Sequence, residues 1–165
     1  MPFDVPPLTP AEAVLAAGLD PLMLPLLFAH RARDIGAGIP FVLVSARRSP
    51  DHQAQLYADY EARQAAWERG GKVGPAPKPA TKPGASKHEL GFAYDRTGPR
   101  NPREWALSAS HAEALGLESG HRYNDAPHIE MPDARSELAT AVRLRLAAAA
   151  AALGLAWIVT TGDPA

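Results

Sequence analysis

The 165-residue sequence predicts a mixed helix-and-strand domain of the α+β class. Three observations point there. Capped helix starts recur at Thr9, Ser49 and Asn101. Short strand-like runs lie between and after them, at 39–45, 88–95 and 127–131. The length suffices for one hydrophobic core and falls short of two, so residues 1–165 are expected to form a single domain. These signals do not by themselves arrange the strands into a sheet.

Thr9-Pro10-Ala11-Glu12 has the pattern of a capping box, with a hydroxyl at the N-cap, Pro at the first helical position and Glu at the third. Asp20-Pro21 repeats the start signal. Pro25 would remove a hydrogen bond inside a helix, so a restart near Leu24-Pro25 is expected, running to Gly36 or Gly38. Ile39 to Ser45 is apolar and β-branched and reads as a buried strand. Ser49-Pro50-Asp51 opens a helix to about Arg69, whose Leu56, Tyr57, Tyr60 and Trp67 share a face expected to pack on the sheet.

In 70–85, eight of sixteen residues are Gly or Pro, with Lys72, Lys78 and Lys82 between them. That is a loop, either solvated or a rim for an acidic peptide. Two further caps, Asn101-Pro102 and Ser110-His111, predict a broken helical stretch ending at Gly116. Pro127 to Met131 reads as a short strand. Residues 133–165 read as a closing Ala-rich helix, stopped by Gly154, and a last strand at Trp157 to Thr160. His30, His52 and His111 fall on predicted helices with no partner signal, as surface or capping residues.

Composition narrows the function. The 17 Lys plus Arg nearly balance 18 Asp plus Glu, so neither nucleic acid nor an anionic membrane is an expected partner. Alanine supplies 33 residues, which leaves a lean, Leu-based core. No run of about 18 apolar residues is present to span a membrane. The N-terminus carries neither a basic n-region nor an apolar h-region, so a secretory signal is not expected. With no cysteine, disulfides, thiolate catalysis and Cys-ligated metals are excluded. Any metal must sit on His and carboxylates.

Ser86-Lys87-His88-Glu89-Leu90-Gly91-Phe92-Ala93-Tyr94-Asp95 offers an imidazole and, seven residues on, a carboxylate. As a strand, it puts Ala93 and Asp95 on one face, with the small Gly91 and Ala93 leaving room for a bulky group. Downstream, His128 and Glu130 share a face, and Asp125 precedes His128 by three residues. Two imidazoles and one carboxylate make a three-donor set with a fourth position open, the stoichiometry of a catalytic zinc site.

These blocks resemble a known family. Ser-x-His-x-x-Gly-x-Ala-x-Asp followed by Asp-x-x-His is similar to the signature of the zinc D-Ala-D-Ala carboxypeptidases and L-alanyl-D-glutamate endopeptidases, peptidoglycan stem-peptide metallopeptidases that include phage endolysins. Ser45-Ala46-Arg47-Arg48-Ser49, then Gln53, Leu56 and Tyr57, is similar to the family's upstream strand-to-helix segment. The likeness covers about residues 20–131. It departs at Glu118 to Tyr123, where many relatives have a Trp-Gly-Gly-rich turn, and at Ala46 and Arg47, where Gly and an aromatic are usual.

The resemblance implies a small, mainly antiparallel sheet carrying the site on one face, with helices around it. It implies one zinc on His88, Asp95 and His128, Asp125 as general base and acid, and Arg48 at the scissile carbonyl. Ser86, Glu130 and His121 are candidates for substrate contact. The expected activity is hydrolysis of a peptide bond in the peptidoglycan stem peptide, of L-alanyl-D-glutamate endopeptidase or D,D-carboxypeptidase type. The short Asp-x-Pro-His form favours the endopeptidase branch. The alternative is a non-catalytic zinc-containing relative that binds wall peptides. The protein is expected to be a monomer made in the cytosol, reaching the wall by phage lysis or on a virion.

Overall fold

A computed structural model describes residues 5–132 of the chain. The closing helix and strand expected over 133–165 lie outside the described residues. The described elements are α1 (Pro10–Ala17), α2 (Met23–Gly36), β1 (Val42–Ser45), α3 (Pro50–Arg69), β2 (Ala93–Thr97), α4 (Pro102–Glu113), β3 (Glu118–Ser119) and β4 (His128–Glu130). A 3-10 turn at Gly120–Tyr123 precedes β4. The strands form one sheet in the order β1-β2-β4-β3, with every neighbouring pair antiparallel. The architecture is α+β.

Register sorts the side chains onto two faces. Asp95 opposes His128 and Ala93 opposes Glu130, while Tyr94 opposes Ile129 and Leu43 opposes Arg96. Because neighbours along a strand alternate, Tyr94, Ile129 and Leu43 turn into the core. There they meet Met23, Leu26 and Leu27 of α2, with Phe41, Leu115 and Leu117. Asp95, His128 and Glu130 stand on the opposite, open face.

β1 corrects one expectation. Among the described residues it is an edge strand, with Leu43 buried and Val42 and Val44 exposed by 45% and 50% on the open face. The β-branched run signals strand correctly but does not reveal that only one face is covered. Its edge is handled by α1. The Thr9 hydroxyl accepts from Glu12 N–H at 3.3 Å, and the Glu12 carboxylate accepts from Thr9 N–H at 2.9 Å, completing the capping box. The other Glu12 oxygen accepts from Leu43 N–H at 3.0 Å. One buried carboxylate thus caps a helix and ties it to the sheet.

Pro25 lies in the first turn of α2, which begins at Met23. Its missing N–H would have had no intrahelical partner there, so the helix runs through it. α3 starts on its Ser49 cap, with the hydroxyl accepting from His52 N–H at 3.2 Å. It does not press its aromatic face on the sheet: Leu56, Tyr57, Tyr60 and Trp67 are half-buried, and Gln53 is the buried residue of the helix. α4 is continuous. Ser110 donates to Leu107 O at 2.7 Å instead of capping a new helix, because Ala109 and Ala112 are already buried against the core. The segment before β2 is a turn rather than strand; Gly91 N–H bonds His88 O and Phe92 N–H bonds Lys87 O. Gly91 adopts φ 75°, and a Cβ there would lie 2.8 Å from Asp20 N. Its small size therefore serves this turn and its close approach to residues 18–20, not space around Asp95.

His30 and His111 also differ from expectation. His30 is fully buried, with Nδ1 at 2.8 Å from the Tyr94 hydroxyl and Nε2 at 3.0 Å from Ser108 O. His111 pairs through Nδ1 with the buried Asp34 at 2.7 Å, and Ser108 donates to the same carboxylate. Burial pushes the His30 imidazole down to about 4, against the opposing pull of Asp34. The unfolded chain, with an ordinary imidazole near 6.5, binds more protons between those values. Stability from this residue is therefore full above pH 6.5 and lost as pH falls toward 4. The loss between pH 7.5 and 5 is about 2 kcal/mol. Urea unfolding at both pH values, for wild type and His30→Gln, should show the wild type losing about 2 kcal/mol more than the variant between them.

Candidate active site

Three segments bring the site together. The turn at 86–91 delivers His88, β2 delivers Asp95, and β4 delivers His128. Glu89 shapes the turn by accepting from Gly84 N–H at 2.9 Å and Ser86 N–H at 3.3 Å. Arg48 N–H bonds His88 O at 3.0 Å and ties the turn to the end of β1.

The three donor atoms converge. His88 Nε2 lies 3.2 Å from His128 Nδ1 and 3.4 Å from Asp95 Oδ1, and His128 Nδ1 lies 3.1 Å from Asp95 Oδ1. A tetrahedral zinc with arms of about 2.0–2.1 Å separates its ligands by roughly 3.3 Å, so this triangle fits the ion. The outer nitrogens decide which lone pairs face inward. His88 Nδ1 donates to Ala46 O at 2.6 Å, and His128 Nε2 donates to Glu130 Oε2 at 3.0 Å. With zinc bound, each ring would then present an unprotonated nitrogen to the centre of the triangle. Lys87 holds Glu130 in place at 3.0 Å. Two neutral imidazoles and a carboxylate, with no thiolate, are a zinc donor set.

The electrostatics record the same crowding. Burial alone would raise the Asp95 carboxyl, but hydrogen bonds to His128 and His88 hold it well below the usual carboxylate range. Burial alone would lower His128, but Asp95 and Glu130 on its two sides push it up to about 9. Glu130 is lowered in turn: burial opposes the shift, and its bonds to His128 and Lys87 outweigh it.

The triad forms part of the wall of a cleft of about 650 Å³. Asp125 and Arg48 line the same cleft. Asp125 belongs to the turn that enters β4, where its carbonyl accepts from His128 N–H at 2.9 Å and its N–H donates to Gly120 O at 2.8 Å. Asn124, in the left-handed conformation at φ 61°, swings the chain from the 3-10 turn into this bend. Arg48 reaches toward Asp95 Oδ2 at 3.8 Å and donates to Gln53 Oε1 at 2.8 Å. Arg47 is exposed, with its Cβ near Gly18, so the second arginine of the pair is the one that faces the cleft.

Ser86 is buried and lines the cleft. Glu130 also lines the cleft and contacts His128. His121 is exposed and is not among the residues lining this cleft.

Sequence reasoning missed the Ala46 carbonyl, Lys87 and Gly120. A Cβ at Gly120 would meet Asp125 O at 2.5 Å and His128 Cβ at 2.9 Å. Something must shift in Gly120→Ala, and what shifts is the turn carrying both residues. That variant is expected to lose at least about tenfold in zinc affinity, since displaced donors cost what disturbed supporting contacts cost. Chelator competition measures it, and unchanged affinity would show that the turn absorbs the methyl.

No family model and no curated protein matches the sequence. Solved structures match in fold. A mutant of the vancomycin-resistance D,D-pentapeptidase VanY from a VanB-type cassette, in complex with Zn(II), is 16% identical at a TM-score of 0.54, covering 76% of this chain and 78% of that one. VanYB in complex with D-alanine-D-alanine is 17% identical at 0.53, covering 77% of each chain. The LD-carboxypeptidase LdcB is 16% identical at 0.51, covering 77% of this chain and 64% of that one. The protein therefore has the VanY-like zinc peptidase fold.

Proposed function

We propose that the protein is a zinc-dependent peptidase that hydrolyses a peptide bond in the stem peptide of bacterial peptidoglycan. The observation that carries this reading is the convergence of His88 Nε2, Asp95 Oδ1 and His128 Nδ1 within 3.4 Å of one another, in a cleft that also holds Asp125 and Arg48. A purely structural metal site would need neither of the last two. The fold's occurrence in a Zn(II) complex and in a D-alanine-D-alanine complex supports the choice of metal and of substrate class.

His88, Asp95 and His128 would hold one zinc, which would supply Lewis acidity and lower the pKa of water toward neutral. The Asp125 carboxylate would take a proton from the attacking water and pass it to the leaving amine. The Arg48 guanidinium stays charged throughout and faces the oxygen on which negative charge develops. Gln53 fixes its orientation through one hydrogen bond. His88 and His128 keep their tautomers through Ala46 and Glu130, so the donors need no rearrangement.

L-alanyl-D-glutamate endopeptidase and D,D-carboxypeptidase cleavage differ in the bond cut, and defined stem peptides separate them. Mass spectrometry of the products, with metal content measured on the same sample, tests the reading. Zinc bound without release of product from any stem peptide would replace it with a wall-peptide binder.

A further inference from the structure

The 70–85 loop folds back along α3. Trp67 Nε1 donates to Gly74 O at 3.1 Å, and Gln53 Nε2 donates to Thr81 O at 2.6 Å. Trp67 and Gln53 lie about 21 Å apart along the helix. From Gly74 to Thr81 the chain covers about 22 Å at the rise of a polyproline segment. The lengths match with residues 74–81 running extended and antiparallel to α3. Proline keeps them so: Pro77 and Pro79 hold Ala76 and Lys78 out of the helical region. Lys78 Nζ, 2.5 Å from Asp125 Oδ1, pins the strap across the cleft.

Residues 78–81 of this strap line the cleft, and so do Gln53, Leu56 and Arg63, which share one face of α3. From Gln53 to Arg63 is about 15 Å, the reach of about four extended peptide residues. The strap's main chain is unpaired there. Among the described residues nothing bonds the N–H or the carbonyl of Lys78 or of Ala80, and Pro79 between them has no N–H. An extended segment with free donors and acceptors is a template for a second extended chain. We propose that the strap pairs, main chain to main chain, with a peptide lying extended between it and α3. Resting on the peptidase reading, this names the substrate class: a peptide that continues for several residues on one side of the scissile bond, read through its backbone. A dipeptide ends before these contacts are made.

The test compares a stem pentapeptide with the dipeptide spanning the same scissile bond. Wild type should prefer the pentapeptide by at least about tenfold in kcat/KM. Ala80→Pro removes one N–H from a segment already rich in proline, and should cut that ratio about tenfold, mainly through KM, because a peptide carbonyl is left unpaired. Ala76→Pro makes the same change at an exposed position outside the cleft lining, and should keep the wild-type ratio. N-methylation of the pentapeptide away from the cut bond needs no variant, and should cost the wild type about tenfold at one position. A merely structural strap would lower both substrates together in Ala80→Pro. That result, a wild type indifferent to peptide length, or a pentapeptide indifferent to N-methylation overturns the proposal. Calorimetric binding of both peptides to wild type and Ala80→Pro runs in parallel. If no peptide is cleaved, the peptidase reading falls, and binding still judges the strap: a pentapeptide preference lost in Ala80→Pro upholds it, and an unchanged ratio ends it.

Discussion

Asp125→Ala should reduce kcat by about 10³-fold while zinc content and fold stay at wild-type values. That factor corresponds to about 4 kcal/mol of transition-state stabilisation. The separation of effects follows from how Asp125 is attached. Its structural bonds to Gly120 and His128 run through the backbone, and the substitution leaves both in place. The carboxylate itself touches Lys78, an exposed partner whose loss costs little. On the proposed reading, the variant removes the group that carries a proton from water to amine. Asp125→Asn should behave alike, because an amide keeps the shape and lacks the basicity. Loss of turbidity in purified cell walls, with metal analysis on the same protein, reads both quantities. An alanine variant within threefold of wild type would remove Asp125 from the chemistry.

Local signals in the sequence translated well where the physics is local. Thr9, Ser49 and Asn101 cap helices as their spacing implies, because a cap is decided within four residues. Ser110 carries the same signal and fails, since the packing of Ala109 and Ala112 holds α4 continuous. The run at β1 is strand, but burial of one face rather than two depends on which face of the sheet the core covers, and sequence does not record that. His30 is hidden for the same reason. Its partners Tyr94 and Ser108 are 64 and 78 residues away, and nothing near it announces burial.

The donor triad was legible because the spacing around His88, Asp95 and His128 is tight and carries a family resemblance. Its supports were not. Ala46 acts through a carbonyl, which every residue possesses, and Gly120 acts through an absence of atoms. Lys78 lies among loop lysines that look alike in sequence, and only the fold of the loop selects it.

Removing a donor tests the metal reading at its root. His128→Ala leaves two ligands and deletes the ring that Glu130 orients. Structural zinc sites bind with about 10–16 kcal/mol from four ligands, or about 3 kcal/mol per donor. Loss of one donor should therefore weaken zinc by at least about 10²-fold and bring hydrolysis to background. Glu130→Gln keeps the donor and weakens only its orientation, so a smaller loss, about 10–100-fold, is expected. The thermal shift on adding zinc follows the same order, because an ion that binds only the native state raises its melting temperature with affinity. Wild type should show the largest shift, Glu130→Gln less and His128→Ala none. This ranking distinguishes a shared ion from a plain cluster of ion pairs. In a plain cluster, zinc would shift none of the three proteins, and the triad would be only a half-buried aspartate held between two histidines.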